Sequence, residues 1–387
     1  MTEKLYERDS FLTHFSARVL DCRADRQGFW VELDRTAFFP EGGGQPWDTG
    51  TLSGVAVREV HIQDEKILHL CAQALEPGST VEGEIDWHRR FDLMQQHSGE
   101  HIVSGLAHQK FGCENVGFHL GAERVTIDLS VELSAEDLRW LEDAVNRYIW
   151  EDRPVLVSCP APEELQKIPY RSKKALTGQV RIVEFPGADL CACCGTHVNT
   201  AGQVGLVKLL SWVKFRSGLR IELVCGGRAL EYLSKITAQN GQISQLLSAK
   251  PLETAQAAER LLAENAALKV RVSQMEDAHF DALARQAAGT GNAVYVESGL
   301  SPHALRRLAD KLAQTCGESC ACASPKPEGG CHYVLACREG DVRPLAQALN
   351  QALEGRGGGK PSFVQGGISA GPDAFLAFFE LRGFHAV

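Results

Sequence analysis

The sequence lacks any long apolar run, and this absence limits the classes of protein to which it can belong. Nowhere among its 387 residues do about 18 apolar residues follow one another, so we expect no membrane span. The N-terminal stretch MTEKLYERDSFL lacks the apolar segment of a secretory signal, and we therefore expect a cytoplasmic protein. An excess of positive charge is also missing. The formal net charge of −9 argues against non-specific coating of nucleic acid, but it is compatible with a local basic patch.

Cysteine, by contrast, is plentiful, with 13 residues in the chain. In a small secreted protein such a number would suggest a set of disulfides. Here the cysteines are spread along a chain that is long enough for two or three domains and carries no export signal. We therefore expect reduced thiols, some of which are metal ligands.

The pattern of apolar residues predicts an α+β fold made of four successive parts. Short β-rich runs separated by Gly, Asp and Pro turns come first, and a mixed part with two helices and further strands follows. A long helical stretch and a small α/β unit complete the chain. The predicted ranges are 1–90 for a β-barrel-like domain with a glycine loop, 91–227 for a mixed α/β core, 228–289 for a helical arm and 290–387 for the terminal α/β domain.

Local signals place the two helices of the mixed core. The helical period begins near Asp92 and continues to about Phe111, and Gly112 is a plausible C-terminal stop. Ser134 followed by Asp137 predicts a capped second helix.

The predicted helical arm is interrupted at Lys250-Pro251, and its second half carries a heptad-like series. The residues of this series are Thr254, Ala258, Leu261, Asn265, Leu268, Val272 and Met275. An antiparallel helical hairpin and an intermolecular coiled coil fit this rhythm equally well. A homodimer through the arm or the terminal domain is therefore one of two alternatives.

Two segments of the terminal part contain unusual numbers of glycine and cysteine. GRGGGKPSFVQGGI predicts a glycine-rich loop, whose glycines would serve tight turns or close approach to RNA or a partner. It is not a phosphate-binding P-loop, because the required frame fails at Glu354 and Pro361. CGESCACASPKPEGGCH lacks two close C-x-x-C pairs of the kind that hold zinc, so we expect a loop with small thiols here and not a zinc site.

Two pairs of side chains with metal-ligand character lie far apart in the sequence. In LMQQHSGEHIVSGL, His97 and His101 are one helical turn apart on the same face. In DLCACCGTHV, Cys193 and His197 are also four residues apart. Nitrogen and sulfur ligands of this kind suit zinc. The chemistry alone does not choose Cys193 over its neighbours Cys191 and Cys194.

The same histidine pair argues against one class of zinc enzyme. A zinc peptidase of the H-E-x-x-H type needs a glutamate directly after the first histidine, where it acts as a general base. Ser98 occupies that position, and Glu100 is out of frame. We therefore expect no metalloprotease activity.

Four motifs together resemble one known family. FFPEGGGQPWDTG, HSGEH, GFHLGAERVTIDL and CCGTH occur in the order found in the editing domain of alanyl-tRNA synthetase and in free-standing alanyl-tRNA editing proteins. The tail GRGGGKPSFVQGGI is similar to the DHH-associated domain at the end of those synthetases. The resemblance spans nearly the whole chain and leaves no room for an aminoacylation domain. It therefore points to the long form of the free-standing editing protein.

The resemblance implies a reaction, a metal and a partner. The reaction would be ester hydrolysis on mischarged tRNA(Ala), chiefly Ser-tRNA(Ala), with Gly-tRNA(Ala) as a further candidate. One zinc ion would be held by His97, His101, Cys193 and His197. A zinc-dependent protein that binds the tRNA acceptor end without turnover is the alternative function. ATP binding would rest on the family resemblance alone.

The resemblance also suggests the residues that contact the substrate. Thr36 matches a position associated with recognising serine, although an ordinary β-strand threonine is an equally good explanation. Gln45 matches a residue near the scissile ester, and Gly42, Gly43 and Gly44 would let backbone amides approach the substrate. The basic run KIPYRSKKALTGQVR predicts an acceptor-stem contact, for which a solvated basic face is the alternative. Its candidate RNA-binding residues are Lys167, Arg171, Lys173 and Lys174.

Overall fold

The computed structural model describes residues 2–172 and 180–387. Lys173 and Lys174, two of the predicted RNA contacts, lie outside the described residues. The chain divides into two compact units, Met1–Gly241 and Gln242–Val387. Both contain helices and sheets, in agreement with the predicted α+β class. No helix among the described residues combines the length and the apolar character needed to cross a membrane.

The first unit begins with a closed β-barrel. Its elements in chain order are β1 (Glu3–Lys4), α1 (Leu5–Arg8), β2 (His14–Asp25), β3 (Gly28–Leu33), β4 (Arg35–Thr36), β5 (Gly50–Leu52), β6 (Val55–Gln63), β7 (Lys66–Cys71) and β8 (Thr80–Ile85). Six strands form the barrel in the order β2-β3-β7-β6-β5-β8, while β4 pairs with β1. Alternate residues of β2, namely Phe15, Ala17 and Val19, point into the barrel core because successive side chains of a strand face opposite sides.

The first unit continues with a mixed α/β core that has two sheets. Its elements are α2 (Trp87–Phe111), β9 (Asn115–Leu120), β10 (Val125–Leu129), α3 (Ala135–Trp150), β11 (Leu156–Ser158), α4 (Pro162–Leu165), β12 (Ile182–Phe185), β13 (Asp189–Ala192), a 3₁₀ turn (Ala201–Val204), β14 (Val207–Phe215) and β15 (Gly218–Cys225). One sheet has the strand order β14-β15-β10-β9 and the other β11-β12-β13. This core has its own apolar cluster, separate from that of the barrel.

The local signals for α2 and α3 hold, with one difference at a boundary. Helix α2 begins before the predicted Asp92, because the Asp86 side chain caps it by accepting from the Arg89 amide. Gly112 ends the helix with a left-handed φ of 64°, as predicted. The capping box of Ser134 and Asp137 is also present in α3.

Helix α2 is buried along most of its length, and small residues let the surrounding chain approach it closely. A Cβ atom on Gly105 would lie 2.3 Å from the Ala188 carbonyl oxygen. A side chain at this position would push away the start of β13. The glycine therefore helps to bring Asp189, the first residue of β13, up to the face of α2 that carries the two histidines.

The helical stretch consists of α5 (Gly226–Leu246) and α6 (Thr254–Gln286), and the predicted break at Lys250-Pro251 is confirmed. Several heptad positions of α6 are exposed, with Leu268 59% and Met275 64% accessible to solvent. The coiled coil and the homodimer that the heptads suggest stay predictions.

The second unit ends in a six-stranded sheet with helices on both faces. Its elements are β16 (Gly291–Val296), α7 (Pro302–Thr315), β17 (Gly317–Pro325), β18 (Cys331–Cys337), α8 (Arg343–Ala352), β19 (Arg356–Lys360), β20 (Phe363–Ile368), α9 (Pro372–Glu380) and β21 (His385–Ala386). The strand order is β19-β20-β18-β17-β16-β21. Two apolar clusters, one on each face, bury the sheet.

Both loop predictions for the terminal part were wrong. The cysteine-rich segment forms the antiparallel pair β17 and β18, in which Cys320 and Cys322 are buried, because a free thiol packs like a small apolar group. The glycine-rich segment forms the hairpin of β19 and β20. A Cβ atom on Gly359 would lie 2.1 Å from the Phe363 carbonyl oxygen, so glycine allows these two strands to approach closely.

Candidate metal centre

Four side chains from two distant segments converge in the first unit. His97 and His101 project from adjacent turns of α2, and Cys193 and His197 belong to the turn that follows β13. One potential ligand atom from each residue lies within 4.8 Å of the other three. The Cys193 Sγ atom is 3.5 Å from His97 Nε2 and 3.4 Å from His197 Nε2. The result is a compact donor set of three imidazoles and one thiol.

Position distinguishes Cys193 from the two neighbouring cysteines. Cys191 lies on β13 and belongs to a second group of potential ligands with His101 and Asp189. The Cys194 side chain is exposed, and its Sγ lies 3.5 Å from the place of a Cβ on Gly43. It therefore faces the glycine loop, and only Cys193 joins all three histidines in the cluster of four.

Electrostatics favour the same thiol. Burial would raise the pKa of Cys193, but the nearby His97 and His197 lower it well below the usual range. Burial raises the pKa of Cys191 to about 11 and also raises that of Cys194. Because the thiolate is the form that binds a metal, Cys193 is the best ligand of the three.

Each histidine of the cluster uses its Nδ1 atom for a hydrogen bond to a residue outside the cluster. These bonds fix the orientation of the rings and leave the opposite nitrogen to face the Cys193 sulfur. The pairs are His97 with Gln45 Oε1 (2.8 Å), His101 with Asp189 Oδ2 (2.8 Å) and His197 with Ser98 Oγ (3.2 Å).

Gln45 ties the glycine loop to the loop that carries Cys193. Its Nε2 donates to Thr196 Oγ1 at 2.8 Å, and its Oε1 accepts from the Thr196 amide at 3.2 Å. Since this oxygen can only accept, the His97 Nδ1 atom must carry the ring proton, and Nε2 keeps its lone pair. The structure thus places Gln45 against a candidate ligand. Its predicted position near the scissile ester stays a prediction.

The glycine loop also lies close to the histidine cluster. Gly44 has a φ of 86°, and a Cβ atom there would lie 2.6 Å from the Phe118 ring. The Phe118 ring in turn stacks on His97, with 5.3 Å between the ring centroids. Gly42 pairs with Gln45 through two backbone hydrogen bonds, of 3.1 and 3.0 Å. Packing therefore requires glycine at position 44, while the contact of the loop amides with a substrate stays a prediction.

Asp189 connects one candidate ligand to the basic run. Its Oδ1 atom accepts from Arg171 Nε at 2.8 Å, and its other oxygen faces His101. Burial would lower the pKa of His101, but Asp189 raises it well above the usual range. Burial would raise the pKa of Asp189, but His101 and Arg171 lower it. The structure therefore places Arg171 in an ion pair with Asp189, at the carboxylate oxygen that does not face His101. Lys167 is exposed to solvent.

Arg181 holds the turn that contains Cys193 through two hydrogen bonds to its backbone. Its Nη1 atom donates to the carbonyl oxygens of Cys193 and Gly195, at 2.9 Å in each case. Sequence reasoning grouped this arginine with the basic run and missed its role, as it missed Ser98 and Asp189. No local pattern identifies these residues, since His101 and Asp189 are 88 positions apart.

Thr36 lies in the short strand β4, in the part of the first unit that contains the barrel, and it is fully buried. Its Oγ1 atom is 2.9 Å from His69 Nε2 and accepts from the Phe38 amide at 3.1 Å. The predicted recognition of serine by Thr36 stays a prediction.

Two family models match the chain. The model described as the threonyl and alanyl tRNA synthetase second additional domain matches residues 180–222, which include the turn with Cys193 and His197. The DHHA1 domain model matches residues 289–381, which include most of the terminal sheet. Both matches agree with the resemblance that the motifs carry.

Curated relatives match over most of the chain. The alanyl-tRNA editing protein AlaX-L of Pyrococcus horikoshii is 27% identical over 405 residues, which cover 99% of each chain. The alanyl-tRNA editing protein Aarsd1 of Rattus norvegicus is 30% identical over 389 residues, which cover 94% of this chain and 93% of the relative. The alanine–tRNA ligase of Pyrococcus abyssi is 35% identical over 278 residues, or 68% of this chain and 30% of the ligase. Because the Aarsd1 relative is 30% identical and is matched over 93% of its length, the chain belongs to the family of alanyl-tRNA editing proteins.

Proposed function

We propose that this chain hydrolyses the ester that joins serine to the terminal ribose of tRNA(Ala), and that it acts in trans on tRNA charged elsewhere. Membership in the alanyl-tRNA editing family supports the reaction class, an aminoacyl-tRNA hydrolase. The observation that carries the proposal is the convergence of His97, His101, Cys193 and His197 around one point. Gly-tRNA(Ala) is the second substrate to be tested.

We assign Zn²⁺ to this cluster. Three imidazoles and a thiolate form a donor set that zinc prefers, and each imidazole has the outer hydrogen bond typical of a zinc ligand. Bound zinc would supply charge that polarises the ester carbonyl, activates a water molecule or positions the substrate.

The protein groups around the cluster would orient the substrate. Esters of this kind are already reactive, so positioning and stabilisation of developing charge can suffice without a covalent nucleophile. Gln45 holds His97 and the Thr196 segment in place. The adjacent glycine loop has small residues that let a substrate carbonyl approach backbone amides. The Thr36 oxygen would accept a hydrogen bond from the serine hydroxyl, a group that alanine lacks.

The partner is tRNA(Ala), and the basic run before the cysteine-containing turn is the proposed acceptor-stem contact. Lys167 in this run is exposed to solvent and follows the short acidic helix α4, whereas Arg171 is held in an ion pair with the buried Asp189. Because the net charge of the chain is −9, binding must depend on such local positive charge. The terminal domain would add a second contact with tRNA or an interface with a second copy of the chain, and light scattering of the purified protein distinguishes monomer from dimer.

The decisive experiment is deacylation of purified Ser-tRNA(Ala), Gly-tRNA(Ala) and Ala-tRNA(Ala) with and without a zinc chelator. We expect Ser-tRNA(Ala) to be hydrolysed much faster than Ala-tRNA(Ala), and we expect the chelator to remove this activity and added zinc to restore it. His97→Ala should behave like the chelated protein because one ligand is lost.

A matched control is available on the same helix. His88 is an exposed histidine in the first turn of α2, and His88→Ala should keep full activity. If the protein binds Ser-tRNA(Ala) in a zinc-dependent way but never releases serine, the non-catalytic acceptor-end binder is the correct function.

A further inference from the structure

A buried histidine outside the metal cluster lies in the barrel wall. His69 on β7 has no exposed surface, and its Nδ1 atom is 3.1 Å from the Val31 carbonyl oxygen. Because a carbonyl oxygen can only accept, Nδ1 must carry the ring proton. Burial lowers the pKa of His69 to about 4, so the ring is neutral near pH 7. The Nε2 atom, which faces Thr36, is therefore an acceptor.

The state of His69 decides how the Thr36 hydroxyl is oriented. The distance from Thr36 Oγ1 to His69 Nε2 is 2.9 Å, so Thr36 donates its only proton to the ring. The Phe38 amide donates to the same oxygen at 3.1 Å. A hydroxyl group has one proton and two lone pairs, and one lone pair is therefore left. Thr36 can serve a further group only as an acceptor.

Contacts link this threonine to the metal-binding loop. The chain leads from Thr36 through Phe38 and Phe39 into the glycine loop. The Phe39 ring packs edge-on against Tyr6 with 5.4 Å between centroids. In that loop, the place of a Cβ atom on Gly43 lies 3.5 Å from the Cys194 Sγ atom, and Cys194 is next to the candidate thiolate ligand.

We propose that His69 is a positioning residue for substrate selection: it takes the Thr36 proton and leaves the Thr36 oxygen as an acceptor for the hydroxyl of a substrate serine. The inference rests on the proposed editing of Ser-tRNA(Ala). A substrate serine donates into the last lone pair. A substrate alanine has no hydroxyl to donate, so the last lone pair stays unpaired beside the bound substrate, and such an unpaired polar atom disfavours the smaller substrate.

A purely structural histidine would behave differently from a positioning one. The bond to Val31 joins β3 to β7, so His69 also contributes to the barrel. Loss of that contribution would slow the reaction with every substrate equally, because the whole site would shift. Loss of the proton acceptor for Thr36 would instead affect serine alone.

The test compares two substitutions in the full-length protein loaded with zinc. His69→Phe keeps an aromatic ring and removes the acceptor, whereas His69→Gln offers an amide oxygen that can accept from Thr36. We measure kcat/KM for Ser-tRNA(Ala) and Ala-tRNA(Ala). We expect His69→Phe to lower the serine-to-alanine ratio about tenfold or more, and His69→Gln to keep it within about threefold. Zinc content should be unchanged in both variants.

A double-mutant cycle with Thr36→Val tests whether the two residues act together. Once the Thr36 hydroxyl is absent, His69→Phe should lower the ratio no further, since it would act only through that hydroxyl. Should His69→Phe fail to fold, Thr36→Val with intact His69 must by itself lower the ratio; an unchanged ratio would overturn the inference.

The outcomes separate this inference from the proposed function. A wild-type protein that does not hydrolyse Ser-tRNA(Ala) removes the proposed function. A wild-type protein that does so, combined with a His69→Phe variant that slows both substrates in parallel or neither, overturns the positioning role alone.

Discussion

The tripeptide Cys-Ala-Cys occurs twice in this chain, and the two copies have different surroundings. In the first unit it spans Cys191 to Cys193, where β13 ends at Ala192 and the backbone turns. The second cysteine therefore leaves the strand and meets three histidines. In the second unit it spans Cys320 to Cys322, where β17 continues to Pro325. Identical local sequence thus produces a candidate metal ligand in one unit and strand residues in the other.

The surroundings of the second copy are apolar. Cys320 and Cys322 lie on one face of β17 and join the cluster that includes Leu308 and Leu312 of α7. Ala321 between them and Ala323 after them face the other cluster. A hydrogen bond with Cys322, together with burial, raises the pKa of Cys320 well above the usual range. A cysteine becomes a metal ligand where other donors converge on it, and a high local number of cysteines is not sufficient.

The largest expected effect comes from replacing the second cysteine of each Cys-Ala-Cys copy in turn. Cys193→Ala should lower the affinity for zinc more than about a hundredfold and abolish deacylation, because a direct ligand is lost. Cys322→Ala should keep one zinc per chain and normal activity. Elemental analysis and Ser-tRNA(Ala) deacylation measure both properties. If the Cys322 variant loses zinc and the Cys193 variant retains it, Cys193 is not the ligand and the assignment of the two copies is wrong.

A smaller effect is expected from the residue that orients His101. Asp189→Asn removes the charge that faces the ring, and we expect the affinity for zinc to fall about 10- to 100-fold. Competition with a chromophoric chelator measures the affinity. Glu184→Gln on the adjacent β12 is the matched control, because it also removes one carboxylate charge from this sheet. Equal affinities in the two variants would mean that Asp189 does not support the metal site.

The smallest effect is expected at the surface of the first unit. Lys167→Ala should reduce the salt dependence of tRNA binding by a slope of about one, since one phosphate contact and its released counterion are lost. Binding assays over a series of salt concentrations measure this slope. Lys66→Ala is the control, because its ammonium group is already paired with Glu32 at 2.7 Å. A slope that is unchanged in the Lys167 variant would place the RNA elsewhere.

Local patterns in the sequence were enough to predict several elements and half of the candidate site. His97 and His101 are four residues apart, and residues at this spacing lie on the same face of any α-helix. The spacing alone therefore predicted their common face. The capping box at Ser134 and the stop at Gly112 depend on neighbouring residues only. These features need no knowledge of the rest of the chain.

The loop predictions failed because their residues have weak local preferences. Small residues such as glycine and cysteine carry little β signal, and their place in a strand depends on what packs against them. Gly357, for example, lies where a Cβ atom would be 2.3 Å from the Tyr333 hydroxyl, on a strand two positions across the sheet. Only the assembled sheet reveals that constraint.

The sequence by itself determined the α+β class, the family resemblance and a set of residues that could bind zinc. The tertiary structure decided which atoms of these residues meet. Gln45 and Thr196 are 151 positions apart, yet their contact orients His97, and Asp189 reaches His101 across 88 positions. Such bonds form only after the barrel, α2 and β13 have packed together, because hydrogen-bond geometry requires approach to within about 3 Å and chain spacing does not encode it.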